Sequence, residues 1–125
     1  MSQAPFEAST AALEGGFRVV AVRGELDLGT APALEGPLEE AIDAREPLLV
    51  DLSECEFIDS TGIAMIVRAW QQLINGDDGS GGGGDRVVIC STNEQVRRVL
   101  EITGLDVSIP VHESRDAALA ALRGA

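Results

Sequence analysis

The chain contains no lysine: its nine basic residues are all arginine, set against 21 acidic residues for a formal net charge of −12. A P-loop ends in Gly-Lys-Ser/Thr, so the glycine run at 81–84 resembles a phosphate cradle in composition only. A nucleic-acid groove needs clustered basic side chains, and here only Arg97 and Arg98 are adjacent. Neither nucleic acid nor an anionic membrane is an expected partner. An acidic surface is compatible with a basic protein partner, although it also serves solubility alone. Histidine is nearly absent too, with His112 the single copy. Cys55 and Cys90 stand far apart and form no CxxC motif, so both are expected to be reduced, packed thiols, with neither a redox pair nor a metal site between them. No apolar run approaches the ~20 residues that span a bilayer. Residues 1–7 lack the basic and apolar regions of a secretory signal. A soluble, cytoplasmic protein is expected.

What is present is an apolar content of 45%, enough for one globular core. Residues 1–125 are read as one domain, with the glycine-rich stretch 75–85 as a flexible surface loop. Phe6–Leu13 and the β-branched Phe17–Val22 flank Glu14-Gly15-Gly16 and predict an antiparallel hairpin. Gly24-Glu25-Leu26-Asp27 then ends the second strand. Thr30 is a candidate helix cap, and Leu34, Leu38 and Ile42 form an apolar stripe. Gly36-Pro37 interrupts that stripe and predicts a kink or a late start.

Leu48-Leu49-Val50 is apolar without alternation, as in a strand buried on both faces. An acidic turn leads to Asp59-Ser60-Thr61-Gly62 and a helix. Ile63, Ile66, Val67, Trp70, Leu73 and Ile74 fall within an arc of about 120° that should face the sheet. Thr61, Met65, Arg68 and Gln72 fall opposite, Met65 being an adaptable apolar side chain suited to a contact surface. A strand follows at Arg86–Cys90, and Thr92 with Gln95 predicts a capping box. The helix it opens carries Val96, Val99 and Leu100 and stops at Gly104. Val107–Ile109 reads as a short strand, and Ser114 caps a last helix with Ala118, Leu119 and Leu122. Strands alternating with helices imply right-handed crossovers and a largely parallel sheet.

For catalysis the signals are poor. A nucleophile elbow around Ser60 needs glycine at position 58, which is Ile58, and His112 is the only histidine base. Asp77, Asp78 and Asp85 do not have EF-hand spacing, and Asp51, Glu54, Glu56 and Asp59 show no metal-ligand pattern, so they read as a solvated turn. Ser60 itself has two readings. It can cap the helix, or it can be phosphorylated at an accessible helix N-terminus, beside Gly62, which would let a partner approach.

Gly24-Glu25-Leu26-Asp27, Val50-Asp51-Leu52-Ser53, Phe57-Ile58-Asp59-Ser60-Thr61-Gly62 and Gly104-Leu105, in this order, resemble the STAS domain. More narrowly, over residues 17–122, they resemble bacterial anti-sigma-factor antagonists. The resemblance implies an α/β STAS fold: a mixed, mostly parallel sheet of four to five strands, about four flanking helices and an N-terminal β-hairpin. It implies no catalysis and no cofactor or metal. It implies an anti-sigma factor with serine kinase activity as partner, phosphorylation at Ser60 that ends the complex, and a serine phosphatase that restores it. Asp27, Asp59, Ser60, Thr61, Gly62, Met65 and Arg68 are then the expected partner surface. Thr61 stands where many members have a second serine, and the loop 75–85 is longer than usual for the family. The alternative within the family is a STAS scaffold or binding module that is never phosphorylated.

Overall fold

A computed structural model describes residues 5–75 and 86–123. In chain order the elements are β1 (Glu7–Leu13), β2 (Phe17–Leu26), α1 (Ala31–Asp43), β3 (Leu48–Ile58), α2 (Ser60–Asn75), β4 (Val87–Cys90), α3 (Glu94–Ile102), α4 (Leu105–Ser108), β5 (Val111–His112) and α5 (Arg115–Arg123). The expectation for 75–85 falls, from residue 76 onward, outside the described residues.

The strands lie side by side in sequence order, β1 antiparallel to β2 and every later pair parallel. Right-handed crossovers between consecutive neighbours place their helices on one face. That face buries Leu34, Leu38 and Ile42 of α1, Ile63, Ile66 and Leu73 of α2, and Val96 and Leu100 of α3. Among the described residues, α5 is the helix that covers the other face, through Ala118 and Leu122 against Val19, Leu49, Val88 and Cys90. The run Leu48-Leu49-Val50 is therefore apolar throughout because Leu48 and Val50 enter the larger cluster and Leu49 the smaller.

Several expectations are corrected. Pro37 neither delays nor divides α1, which is one helix from Ala31 to Asp43. An internal proline costs about 3 kcal/mol, and burying Leu34, Leu38 and Ile42 on one side returns roughly 2 kcal/mol each. The acidic segment 51–58 is no turn: β3 continues through it to Ile58. Register shifts against β2 between Ala21 and Arg23 and between Gly24 and Glu25 turn Leu52, Cys55 and Ile58 inward and leave Glu54 and Glu56 exposed. Nor is Asp51 solvated, since it is buried at 8% exposure. Val107–Ile109 is not a strand: Leu105–Ser108 forms the short α4, and β5 lies two residues further on at Val111–His112, making five helices among the described residues. The cap of α3 is Asn93, whose side chain accepts from the N–H groups of Gln95 and Val96, while Thr92 bonds the Ser53 carbonyl instead. Ser114 caps α5 as expected, accepting from Ala117 N at 3.1 Å.

Candidate functional site

Parallel strands β2 and β3 end in register, Leu26 beside Ile58, and the two turns that follow form the site. The C-terminal edge of a parallel sheet is where such folds place their functional groups. Asp59 N donates to the Leu26 carbonyl at 3.1 Å, so the last rung of the ladder also fixes the turns to each other.

The first turn is closed by Asp27 and Thr30. Asp27 Oδ1 accepts from Gly29 N at 3.0 Å and Thr30 N at 3.1 Å. Thr30 Oγ1 accepts from Asp27 N at 2.9 Å and donates to the Glu25 carbonyl at 2.7 Å. Thr30 occupies the N-cap position of α1, but its hydroxyl makes no capping bond and faces back into the turn. Leu28 stands out of this braced turn at 74% exposure.

The second turn corrects the expectation for Ser60. Asp59 Oδ1 accepts from Thr61 N at 2.9 Å and Gly62 N at 3.3 Å, and its carbonyl accepts from Ile63 N. Asp59 therefore caps α2, and its negative charge sits where the helix dipole favours it. Ser60 is the first residue of the helix, exposed, with no hydrogen bond from its hydroxyl to any described residue. The sequence carried a signal for this: in Asp-Ser-Thr-Gly the carboxylate comes first, two and three positions before the amides it can reach.

Gly62 is also corrected. It is buried, so it offers no exposed surface of its own. A Cβ on it would lie 2.7 Å from Leu26 Cγ and Cδ2 and 3.0 Å from Ile58 Cγ1. The missing side chain lets α2 settle onto the strand ends and sets the height of Ser60 above them.

The buried stripe of α2 is Ile63, Ile66, Ala69 and Leu73, rotated by about 40° from the expected arc toward α1. Val67, Trp70 and Ile74 are half-buried. Met65, expected opposite the core, is half-buried and packs against it, lining a shallow cleft of about 120 Å³ with Arg68, Ala69, Glu35 and Leu38. The site thus brings Asp27, Asp59, Ser60 and Thr61 to one end of the sheet. Arg68 is exposed about 12 Å along α2 from Ser60, at 1.5 Å per residue. Phe57, at 45% exposure just before the turn, is a further exposed apolar side chain that the acidic reading of this segment concealed.

No serine–histidine pair forms. His112 sits on β5 level with Cys90, which is level with Asp51, and Ile58 at the far end of β3 precedes Ser60 by two residues. His112 Nε2 is buried without a hydrogen-bond partner among the described residues. Among those residues no group of three or more potential metal ligands occurs, and no helix is long and apolar enough to cross a membrane.

On the opposite face Asp51 joins the sheet to α5. Burial opposes its charge, but hydrogen bonds from Ser53 and Cys90 and the Arg115 guanidinium, at 3.2 Å, hold its carboxyl below the usual range. Burial, with Asp51 beside it, pushes the Cys90 thiol up to about 12. Burial also raises Cys55, which donates to the Phe57 carbonyl. Both cysteines are buried and free, as the sequence suggested.

The STAS domain family model matches residues 9–118. The chain is a member of the STAS family. An anti-sigma F factor antagonist of Paenibacillus polymyxa is 30% identical over 109 residues, 86% of this chain and 87% of that relative. The anti-sigma-F factor antagonist RsfB of Mycobacterium tuberculosis is 28% identical over 92% of this chain and 88% of its own. The crystal structure of an anti-sigma factor antagonist from Mycobacterium paratuberculosis superposes with a TM-score of 0.80 at 29% identity, covering 95% of both chains. The STAS fold expected from the four motifs is therefore the fold observed, with its mixed sheet and N-terminal hairpin.

Proposed function

We propose that this STAS domain is an anti-sigma-factor antagonist switched by phosphorylation at Ser60. In this reading the unphosphorylated form binds an anti-sigma factor and so frees a sigma factor in the cytoplasm. The same partner, acting as a serine kinase, transfers the γ-phosphoryl group of ATP to Ser60 Oγ and leaves ADP. A serine phosphatase hydrolyses the ester and resets the switch. The names of the relatives support the partner class.

The observation that carries the choice of residue is the division of labour at the turn: Asp59 caps α2, and the Ser60 hydroxyl is exposed and uncommitted. Phosphate there would add about −1.5 to −2 charges. The N-terminus of the 16-residue α2 tolerates that charge, so the domain stays folded. A partner seated across Asp27, Asp59, Ser60 and Thr61, with Met65 and Arg68 along the helix, instead meets new bulk and a group that must be desolvated. The scaffold reading, with Ser60 only as a cap, is less favoured because Asp59 holds that role.

The test is intact-mass spectrometry of the chain incubated with ATP and the serine-kinase-like proteins encoded beside it, in parallel with titration against each. One added phosphate, abolished by Ser60→Ala, is expected. Ser60→Glu should weaken binding at least ten-fold. An unchanged mass with every candidate, or tighter binding by Ser60→Glu, defeats the proposal.

A further inference from the structure

We propose that the α5 face of the sheet carries a site for a small molecule with two ammonium groups and one carboxylate, the chemistry of a basic amino acid. α5 packs on the apolar half of this face, over Val19, Leu49, Val88 and Cys90. Two residues further along β2 and β3 the same face continues through Ala21 and Asp51. There a cavity of about 240 Å³ opens. The helix that begins at Ser60 packs on the opposite face, so the cavity is separate from the switch site.

Two rungs across β1, β2 and β3 build the cavity. Ser9, Ala21 and Asp51 lie side by side in the first, and Glu7, Arg23 and Glu54 in the second. Arg115, the first residue of α5, closes a further side. Ala21 ends at its Cβ, which leaves the floor low between Ser9 and Asp51. A rung across three strands is about 10 Å wide, room for one small molecule lying along it.

Both signs of charge are held in place there, and each keeps bonding capacity in reserve. Asp51, at 8% exposure, engages one terminal nitrogen of Arg115 at 3.2 Å. The other N–H groups of that guanidinium bond no described residue, and a planar fork of donors suits a carboxylate. Arg23 is engaged by Glu7 Oε1 at 3.4 Å and by Glu54 Oε1 at 3.2 Å. The second oxygen of each of these carboxylates has no partner among the described residues. Three carboxylates thus share the cavity with two guanidinia, an excess of one negative charge. A ligand of one carboxylate and two ammonium groups balances it, the carboxylate on Arg115 and the ammonium groups on Glu7 and Glu54. A diamine would bring no acceptor to Arg115. An acidic amino acid would set its second carboxylate against Glu7 or Glu54.

Isothermal titration calorimetry of the full chain with L-lysine tests this. L-Lysine should bind one per chain with Kd below ~1 mM. Cadaverine, which is lysine without its carboxylate, should bind at least ~10-fold more weakly despite its greater positive charge. That comparison separates a built site from the general pull of a chain at −12 on any cation. L-Glutamate should give no binding. Ala21→Leu fills the floor without changing a charge, and Glu7→Gln removes one charge from an exposed side chain. Each should weaken L-lysine at least ~10-fold with an unchanged circular dichroism spectrum. The inference is overturned by no binding of L-lysine, by cadaverine or L-glutamate binding as tightly, or by an unchanged Kd in either folded variant. Should Ala21→Leu not fold, Glu7→Gln decides alone.

Discussion

The backbone N–H of Asp59 donates to the carbonyl of Leu26 at 3.1 Å, joining the end of β3 to the end of β2 at the point where each strand gives way to a loop. Everything that presents Ser60 follows from that bond. The Asp27 turn begins one residue after Leu26, and the capping carboxylate of α2 belongs to Asp59 itself.

Asp59 and Ser60 should behave oppositely when shortened. Asp59→Ala removes an acceptor shared by two helix N–H groups and should cost about 1 kcal/mol in urea unfolding. Ser60→Ala removes an exposed hydroxyl that bonds no described residue and should stay within about 0.5 kcal/mol of wild type. A larger loss for Ser60→Ala would return the cap to the serine.

Gly62 should tolerate no side chain. With a Cβ 2.7 Å from two Leu26 carbons, Gly62→Ala overpacks the seat of α2 and should cost about 1–3 kcal/mol. The Leu26→Ala/Gly62→Ala pair should cost less than the sum of the single changes. Additivity would mean that the two residues do not press on each other.

Sequence and structure part company near these residues for identifiable reasons. The order of elements was legible because it rests on apolar periodicity, and Leu34, Leu38, Val96 and Leu100 are buried as their spacing requires. The length of β3 was not. Its inward residues Leu52, Cys55 and Ile58 recur every three positions, since the register shifts against β2 break the alternation by which a strand is recognised. The late start read from Pro37 fails because local propensity cannot weigh the tertiary burial on either side of it. The capping role expected of Ser60 belongs to Asp59, because either neighbour in Asp59-Ser60 can begin a helix and only coordinates separate them.

Acid should loosen α5. The folded pKa of Asp51 lies below its ordinary value of 3.8. Its contribution to stability is therefore fully present above 3.8 and lost as pH falls through the lower, folded value. Asp51→Asn should flatten this limb of an acid-unfolding curve. An equal slope for wild type and variant would remove Asp51 from the account.

Neither cysteine should react while the domain is folded. Cys90, buried and pushed up to about 12, carries almost no thiolate at pH 8. Iodoacetamide should leave the native mass unchanged for hours and add two groups promptly in denaturant. Rapid native labelling at Cys90 would show that α5 opens readily over it.

Assigning the cap to Asp59 separates two ledgers that a serine cap would have merged. If phosphate were placed on a residue holding its own helix together, each turn of the cycle would shift the folding equilibrium as well as the binding one. Here Ser60 can carry or lose a modification while α2 keeps the same capping bonds. Under the proposed switch, the signal would be read wholly by whatever docks on the surface, and it could be written and erased repeatedly while the fold stays unchanged.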